Sequence, residues 1–148
     1  MRTFTIAIFC CGLALVSSPR SAIADVLITE AEARLPSSPD AALTMRGITR
    51  GPAVEQVSPA SGAKSPLMLK VRFVTRNNIE IDLNSIKLTY LKKPRVDVTA
   101  RIQKYVKLTG IEMENAEVPP GEHVLRLDVK DKRGRASTAF LKLIVAAK

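Results

Sequence analysis

The strongest constraint on the fold is a series of segments, from about Ala53 to the end of the chain, in which hydrophobic and polar residues alternate. A period of two indicates β-strands that bury one face, because successive side chains of a strand point to opposite sides. A shorter strand is expected in the segment RVDVT, and one helical turn over residues 99–105 with Thr99 as its cap. The residues predicted to face inward are Leu67, Leu69, Val71, Phe73, Ile86, Leu88, Tyr90, Leu125, Leu127, Val129, Ala139, Leu141, Leu143 and Val145.

Short segments rich in proline, glycine and asparagine separate these predicted strands. They read SPASG, RNN, KKP, VPPG and KRG in chain order. Turn signals between short strands are typical of a sandwich of two antiparallel sheets. The chain has no glycine-rich phosphate loop and no long helices alternating with strands, which argues against a nucleotide-binding α/β fold. The predicted fold class is therefore all-β.

The first 24 residues have the layout of a secretory signal peptide. Arg2 precedes an apolar run over residues 4–16, and the small-residue motif Ala22-Ile23-Ala24 predicts cleavage before Asp25. The run is too short for a transmembrane anchor, which needs about 20 apolar residues. Cys10 and Cys11 do not follow the small residue expected before a lipid-modified cysteine. We expect a cleaved, exported protein, periplasmic or secreted, whose contact with the membrane is limited to the signal peptide.

Removal of the signal peptide changes what chemistry the chain can carry. Both cysteines are lost, so a disulfide framework, a thiolate metal site and a cysteine nucleophile are excluded from the mature chain. Arg2 and Arg20 are lost as well, which leaves 21 basic against 14 acidic residues and a net charge of +7. The remaining length corresponds to one domain.

Residues 25–52 are expected to form a short helix and an irregular tether ahead of the β-domain at 53–148. Thr29 and Glu32 have the spacing of a capping box, and the helix over residues 30–35 should end at Pro36. Pro39, Gly51 and Pro52 indicate a tether instead of a part of the core. The segment nevertheless holds too many apolar residues for a disordered tail, so partial docking on the domain or on a partner is expected. These residues are Leu27, Ile28, Leu35, Leu43, Met45 and Ile48.

The turn motifs also carry a resemblance. Ser58-Pro59 with Gly62 precedes one strand, and residues 119–123 precede another that ends in DVKDKRGRAS before the last apolar strand. Over residues 53–147 this order resembles the immunoglobulin-like modules of bacterial exported proteins. The resemblance implies an immunoglobulin-like antiparallel β-sandwich and no catalytic activity. The periplasmic copper-carrying sandwiches have similar length and topology, but they use an N-terminal histidine after cleavage, where this chain has Asp25.

No set of residues predicts catalysis or metal binding. His123 is the only histidine, which cannot build a closed zinc site alone, and its position suggests an ordinary residue at the start of a strand. Asp97, Asp128 and Asp131 lack the regular spacing of a calcium loop, and no Gly-x-Ser-x-Gly elbow occurs. We predict a protein that is not an enzyme and that has no cofactor, catalytic residue or metal ligand.

Two basic clusters remain as candidate binding residues. The DVKDKRGRAS segment is mainly a turn, in which residues 131–135 reverse the chain, Gly134 takes a positive φ and the charges lie at a solvated tip. The sequence does not tell whether the two clusters share one end of the sandwich. They comprise Lys92, Lys93 and Arg95 in the first, and Lys130, Lys132, Arg133 and Arg135 in the second.

The excess of basic over acidic residues in the mature chain predicts an acidic partner. Few aromatic residues remain in the mature chain and Phe73 and Tyr90 are expected to face inward, so no stacking platform for nucleic acid is visible. An envelope protein or an anionic envelope polymer fits the charge better. The preferred hypothesis is a non-catalytic binding or structural module of the envelope. The alternative is a periplasmic carrier of a small ligand or metal with a β-sandwich fold.

Overall fold

The computed structural model describes residues 24–42 and 50–147. The predicted signal peptide lies outside the described residues except for Ala24, and so do Leu43, Met45 and Ile48. No helix within the described ranges is long and apolar enough to cross a membrane.

Two sheets form the molecule. The first contains β1 (Asp25–Val26), β2 (Ala53–Ser58), β3 (Leu67–Val74), β6 (Val106–Lys107) and β7 (Gly110–Glu117). Its order is β1-β7-β3-β2, with β6 also paired to β7, and β1 is the one strand in this order that runs parallel to its neighbour. The second contains β4 (Ile81–Tyr90), β5 (Val96–Asp97), β8 (Gly121–Asp131) and β9 (Ala136–Val145), in the antiparallel order β5-β4-β8-β9.

The predicted all-β sandwich is confirmed. Helical structure is limited to α1 (Glu30–Ala33), α2 (Thr99–Ile102) and short 3₁₀ turns at Pro39–Ala42 and Gln103–Tyr105. The inward residues predicted from the alternating pattern are all buried except Ala139, which is partly exposed. Each fully buried side chain of this size contributes about 1.5–3 kcal/mol, so the two inner faces supply the main stabilisation.

Strand β7 was not predicted, although it pairs with β3 in the middle of the first sheet. Its buried residues Ile111, Met113 and Ala116 are not regularly alternating, because two residues separate Met113 from Ala116. The ladder shows why: the pairing of β3 with β7 shifts register between Leu67 and Leu69, as in a β-bulge. A bulge adds a residue to one strand and breaks the period of two.

Two apolar residues at the start of the N-terminal segment, ahead of the predicted tether, are part of the core. Leu27 and Ile28 are 0% and 1% exposed, and the backbone N–H groups of both donate to the carbonyl oxygen of Glu117 (3.0 and 3.3 Å). The predicted capping box is present: Thr29 N–H donates to Glu32 Oε2 (2.9 Å) and Glu32 N–H donates to Thr29 Oγ1 (3.3 Å). Of the apolar residues expected to dock, Leu27 and Ile28 therefore do so on the domain itself.

An ion pair fastens this segment to α2. Arg101 Nη2 donates to Glu32 Oε1 (2.6 Å), and Arg101 Nη1 donates to Glu32 Oε2 and to the Leu27 carbonyl oxygen (both 2.8 Å). The Arg101 hydrogen bonds lower the pKa of Glu32 to about 2. A lowered carboxyl pKa stabilises the fold above the unfolded value, 4.5, and this contribution is lost as the pH falls toward 2.

The predicted cap of α2 is wrong, although the helical turn itself is present. Val98 occupies the N-cap position, and no side chain caps the helix. Thr99 Oγ1 instead accepts a hydrogen bond from Leu88 N–H (3.0 Å). Thr99 therefore joins the helix to β4.

Candidate binding surface

The structure places the two predicted basic clusters at opposite ends of the second sheet. In the antiparallel register of β4 and β8, Tyr90 pairs with Leu125 and Ile81 pairs with Asp131. The first cluster follows Tyr90, whereas the second surrounds Asp131. Strand β8 rises about 3.3 Å per residue between Leu125 and Asp131, which puts the two ends roughly 20 Å apart. The two clusters therefore do not share one end of the sandwich.

The residues of the first cluster form hydrogen bonds and an ion pair with the N-terminal segment. Lys92 is only 8% exposed, because its Nζ donates to the Ala33 carbonyl oxygen (3.1 Å) and lies 5.4 Å from the centroid of the Tyr90 ring. Arg95 pairs with Asp40, and the exposed Lys93 donates its backbone N–H to the Pro36 carbonyl oxygen (2.9 Å). Lys92, predicted as a candidate binding residue, is therefore not available at the surface, because docking of residues 33–40 covers it.

The second cluster lies on the hairpin that connects β8 and β9. Gly134 has a φ of +77°, as the predicted turn requires. Lys130 and Arg133 are exposed, and Lys132 pairs with Glu80 on the neighbouring loop. The same loop accepts a backbone hydrogen bond, from Lys132 N–H to the Glu80 carbonyl oxygen (2.9 Å). These contacts fix the hairpin against the β3–β4 loop.

Asp131 organises the hairpin from inside, which corrects the expectation that all of its charges are solvated. Its Oδ1 accepts from the backbone N–H groups of Arg133 (3.0 Å) and Arg135 (2.9 Å), and its Oδ2 accepts from Arg135 Nε (2.7 Å). Burial alone would raise the pKa of Asp131, but these hydrogen bonds outweigh burial and lower it. The carboxylate thus stays charged and holds the Arg135 guanidinium in one orientation.

Two further arginines join the hairpin in space. Arg50, Arg76, Asn77 and Arg135 line a groove of about 490 Å³. Arg50 is brought there by Gly51, at which an added Cβ would lie 2.7 Å from the Arg135 carbonyl oxygen. We call this surface the cationic end. It comprises Arg50, Arg76, Lys130, Lys132, Arg133 and Arg135.

The cationic end carries an excess of positive charge even after its ion pairs are counted. Its six cations meet three carboxylates, Glu80, Asp82 and Asp131, which leaves a local charge of +3. Arg50 and Arg76 are isolated in the sequence, so no local pattern marks them as members of a cluster. One hint of their role is present in the sequence, which is that Arg76 lies in the predicted turn RNN.

His123 has a structural role in the second sheet. It is 3% exposed, its Nδ1 lies 2.7 Å from the Tyr90 hydroxyl oxygen and its Nε2 lies 2.8 Å from the Pro119 carbonyl oxygen. Burial lowers the pKa of His123, which keeps the ring neutral at pH 7, so Nε2–H donates to Pro119 and Nδ1 accepts from Tyr90. Within residues 24–42 and 50–147 no three His, Cys, Asp or Glu residues are grouped as metal ligands.

The chain matches no protein-family model and no curated protein sequence. Among solved structures it is similar to CopC from Methylosinus trichosporium OB3b, with a TM-score of 0.44, 16% identity, and coverage of 64% of this chain and 93% of that one. An endo-beta-1,4-mannanase double mutant from Cellulomonas fimi has a TM-score of 0.38, 14% identity, and coverage of 62% and 18%. An engineered protein has a TM-score of 0.41, 12% identity, and coverage of 65% and 20%. At these identities none of the three assigns a binding residue to this chain.

Proposed function

We propose that this chain is an exported, non-catalytic binding module of the bacterial envelope that contacts an acidic partner through its cationic end. The observation that carries the proposal is the convergence of Arg50, Arg76 and Arg135 on one groove beside the exposed Arg133. The partner is an acidic envelope protein or an anionic envelope polymer. The net charge of +7 in the predicted mature chain favours encounter with such a partner.

The framework of the cationic end supports this role. The hairpin is fastened to the β3–β4 loop by the Lys132–Glu80 contacts, and Asp131 orients Arg135. Cations that are already positioned lose less conformational freedom on binding than cations on a free tail. The surface therefore favours weak but specific charge recognition.

Export rests on the predicted signal peptide, and the described fold is compatible with cleavage at the predicted site. Strand β1 begins at Asp25, whose carboxylate accepts hydrogen bonds from Lys104 Nζ (3.0 Å) and from the Tyr105 hydroxyl. Cleavage before Asp25 leaves every described helix and strand intact.

Charge reversal at the cationic end should abolish binding to a polyanion. We expect the Arg76→Glu/Arg133→Glu variant to lose its affinity for poly-L-glutamate and for the anionic envelope fraction, because both residues are exposed on this surface. Wild-type binding should weaken steeply between about 50 and 500 mM salt, since the screening length is about 8 Å at physiological ionic strength. Both effects can be measured as the affinity of each polyanion for surface-immobilised mature protein, wild type and variant, over a series of salt concentrations.

The matched control is Lys64→Glu/Lys93→Glu, which changes the net charge equally but at the opposite end of the sandwich. It should retain most of the binding. Equal losses in the two variants would mean that total charge, and not the cationic end, attracts the polyanion. A stoichiometric metal ion on protein purified from its native compartment, without salt-sensitive binding, would instead favour the carrier alternative.

A further inference from the structure

Arg135 has hydrogen-bonding capacity that the described protein does not use. Arg135 Nε–H donates a hydrogen bond to Asp131 Oδ2. Arg135 Nη2, in contrast, is buried and has no hydrogen-bond partner among the described residues. Ser137 Oγ, two residues further on, is buried and unpartnered as well. A buried polar group without a partner destabilises the folded state. Both of the unpartnered buried side-chain atoms in the described chain are thus at the cationic end.

The groove beside Arg135 has the lining of an anion site. It is a shallow surface depression of about 490 Å³ and not an enclosed pocket. Three guanidinium groups and the Asn77 side chain are the polar groups that the groove presents, and no carboxylate is among its lining residues in the described chain. Asp131, the carboxylate paired with Arg135, is itself buried.

The charge count distinguishes phosphate from carboxylate. A phosphate monoester carries about −1.5 to −2 charges and three acceptor oxygens, whereas a carboxylate carries one charge and two oxygens. The guanidinium fork matches phosphate oxygens in a bidentate manner, and arginine is favoured over lysine for that purpose. Three arginines around one groove therefore fit a doubly charged tetrahedral oxyanion better than a single carboxylate.

We infer that the groove of Arg50, Arg76 and Arg135 binds a phosphate group, carried either by a lipid headgroup or by a free phosphate compound. The inference rests on the proposed function and names the chemistry of its acidic partner. Asp131 holds the partly exposed Arg135 guanidinium beside the groove, and the exposed Arg50 and Arg76 supply the remaining positive charge for the phosphate.

Calorimetry with pyrophosphate and co-sedimentation with phosphatidic-acid vesicles test the inference on the mature chain. Arg76→Gln should weaken binding by about tenfold, the loss expected for one charge-assisted hydrogen bond. Arg133→Gln is the matched control, because Arg133 belongs to the cationic end but does not line the groove, and its effect should stay below about threefold. Binding of pyrophosphate and vesicles identifies a phosphate group in general, whereas binding of vesicles alone identifies a lipid headgroup.

Poly-L-glutamate separates this inference from the proposed function. If poly-L-glutamate binds in a salt-sensitive manner while neither phosphate probe binds, the phosphate site is wrong and the acidic-partner proposal stands. If none of the three probes binds, both are wrong. Equal losses in Arg76→Gln and Arg133→Gln would also overturn the phosphate site, because they would show general attraction without a groove.

Discussion

Replacement of Gly110 by alanine is expected to destabilise the protein by about 3–5 kcal/mol, a loss comparable to a large part of a typical domain's stability. Gly110 begins β7 with a φ of +154°, and its Cβ would lie 2.0 Å from the Val71 carbonyl oxygen. That oxygen belongs to the backbone of β3, so no flexible side chain can move aside. The pairing of β3 with β7 must therefore shift or open at its Arg72–Gly110 end.

Denaturant unfolding of Gly110→Ala and of the control Gly134→Ala measures this effect. Gly134 also has a positive φ, but an added Cβ there meets nothing within 4 Å, so the control should lose only about 1 kcal/mol to backbone strain. A similar small loss in both variants would mean that β7 is not held against β3 in the register described.

Replacement of Asp131 by alanine is expected to cost about 3–4 kcal/mol at pH 7. Its side chain is 2% exposed, and its removal leaves two backbone N–H groups and the Arg135 guanidinium without an acceptor. Each backbone N–H group that loses its charged acceptor costs about 1–3 kcal/mol, and these two donors account for most of the loss because the Arg135 side chain is 29% exposed. The loss should shrink as the pH falls below 3.8, because a lowered carboxyl pKa stabilises the fold above the unfolded value and ceases to do so on protonation.

The control for this variant is Asp128→Ala on the same strand. Asp128 accepts hydrogen bonds from Arg126 (2.9 Å) and Thr138, but its side chain is 31% exposed, so water can replace its contacts. Its loss should stay near about 1 kcal/mol. Unfolding curves at pH 7 and pH 3 compare the two variants. A loss for Asp131→Ala no larger than that of the control would indicate a solvated hairpin tip.

Strands with a regular period were predictable from sequence, and strands without one were not. The alternation around Leu69 and Leu127 places each inward residue without any knowledge of its neighbours. Strand β7 lacks that signal, because the bulge between Met113 and Ala116 changes its period. For a different reason, the sequence left open whether Leu27 and Ile28 dock on the domain or on a partner. Their burial depends on a parallel pairing of β1 with β7, which is a long-range contact that no local pattern reports.

The candidate site was predictable only in part for the same physical reason. The turn at Gly134 and its charged neighbours are local features, and the structure contains them as predicted. The contributions of Arg50 and Arg76 arise because two loops pack against the hairpin. Lys92 could not be recognised as a buried residue, since the segment that covers it lies more than fifty residues earlier in the chain.

The binding surface can be located most directly by a titration of the ¹⁵N-labelled mature protein with a short polyphosphate, followed through its backbone amide chemical shifts. We expect the largest shifts at Arg50, at Arg76 and Asn77, and in the hairpin over residues 131–136, with little change at Lys93 and Arg95. Saturable shifts confined to these loops would show that the cationic end recognises the anion. Shifts centred on Lys93 and Arg95, or small shifts spread over every exposed lysine and arginine, would contradict the proposed surface.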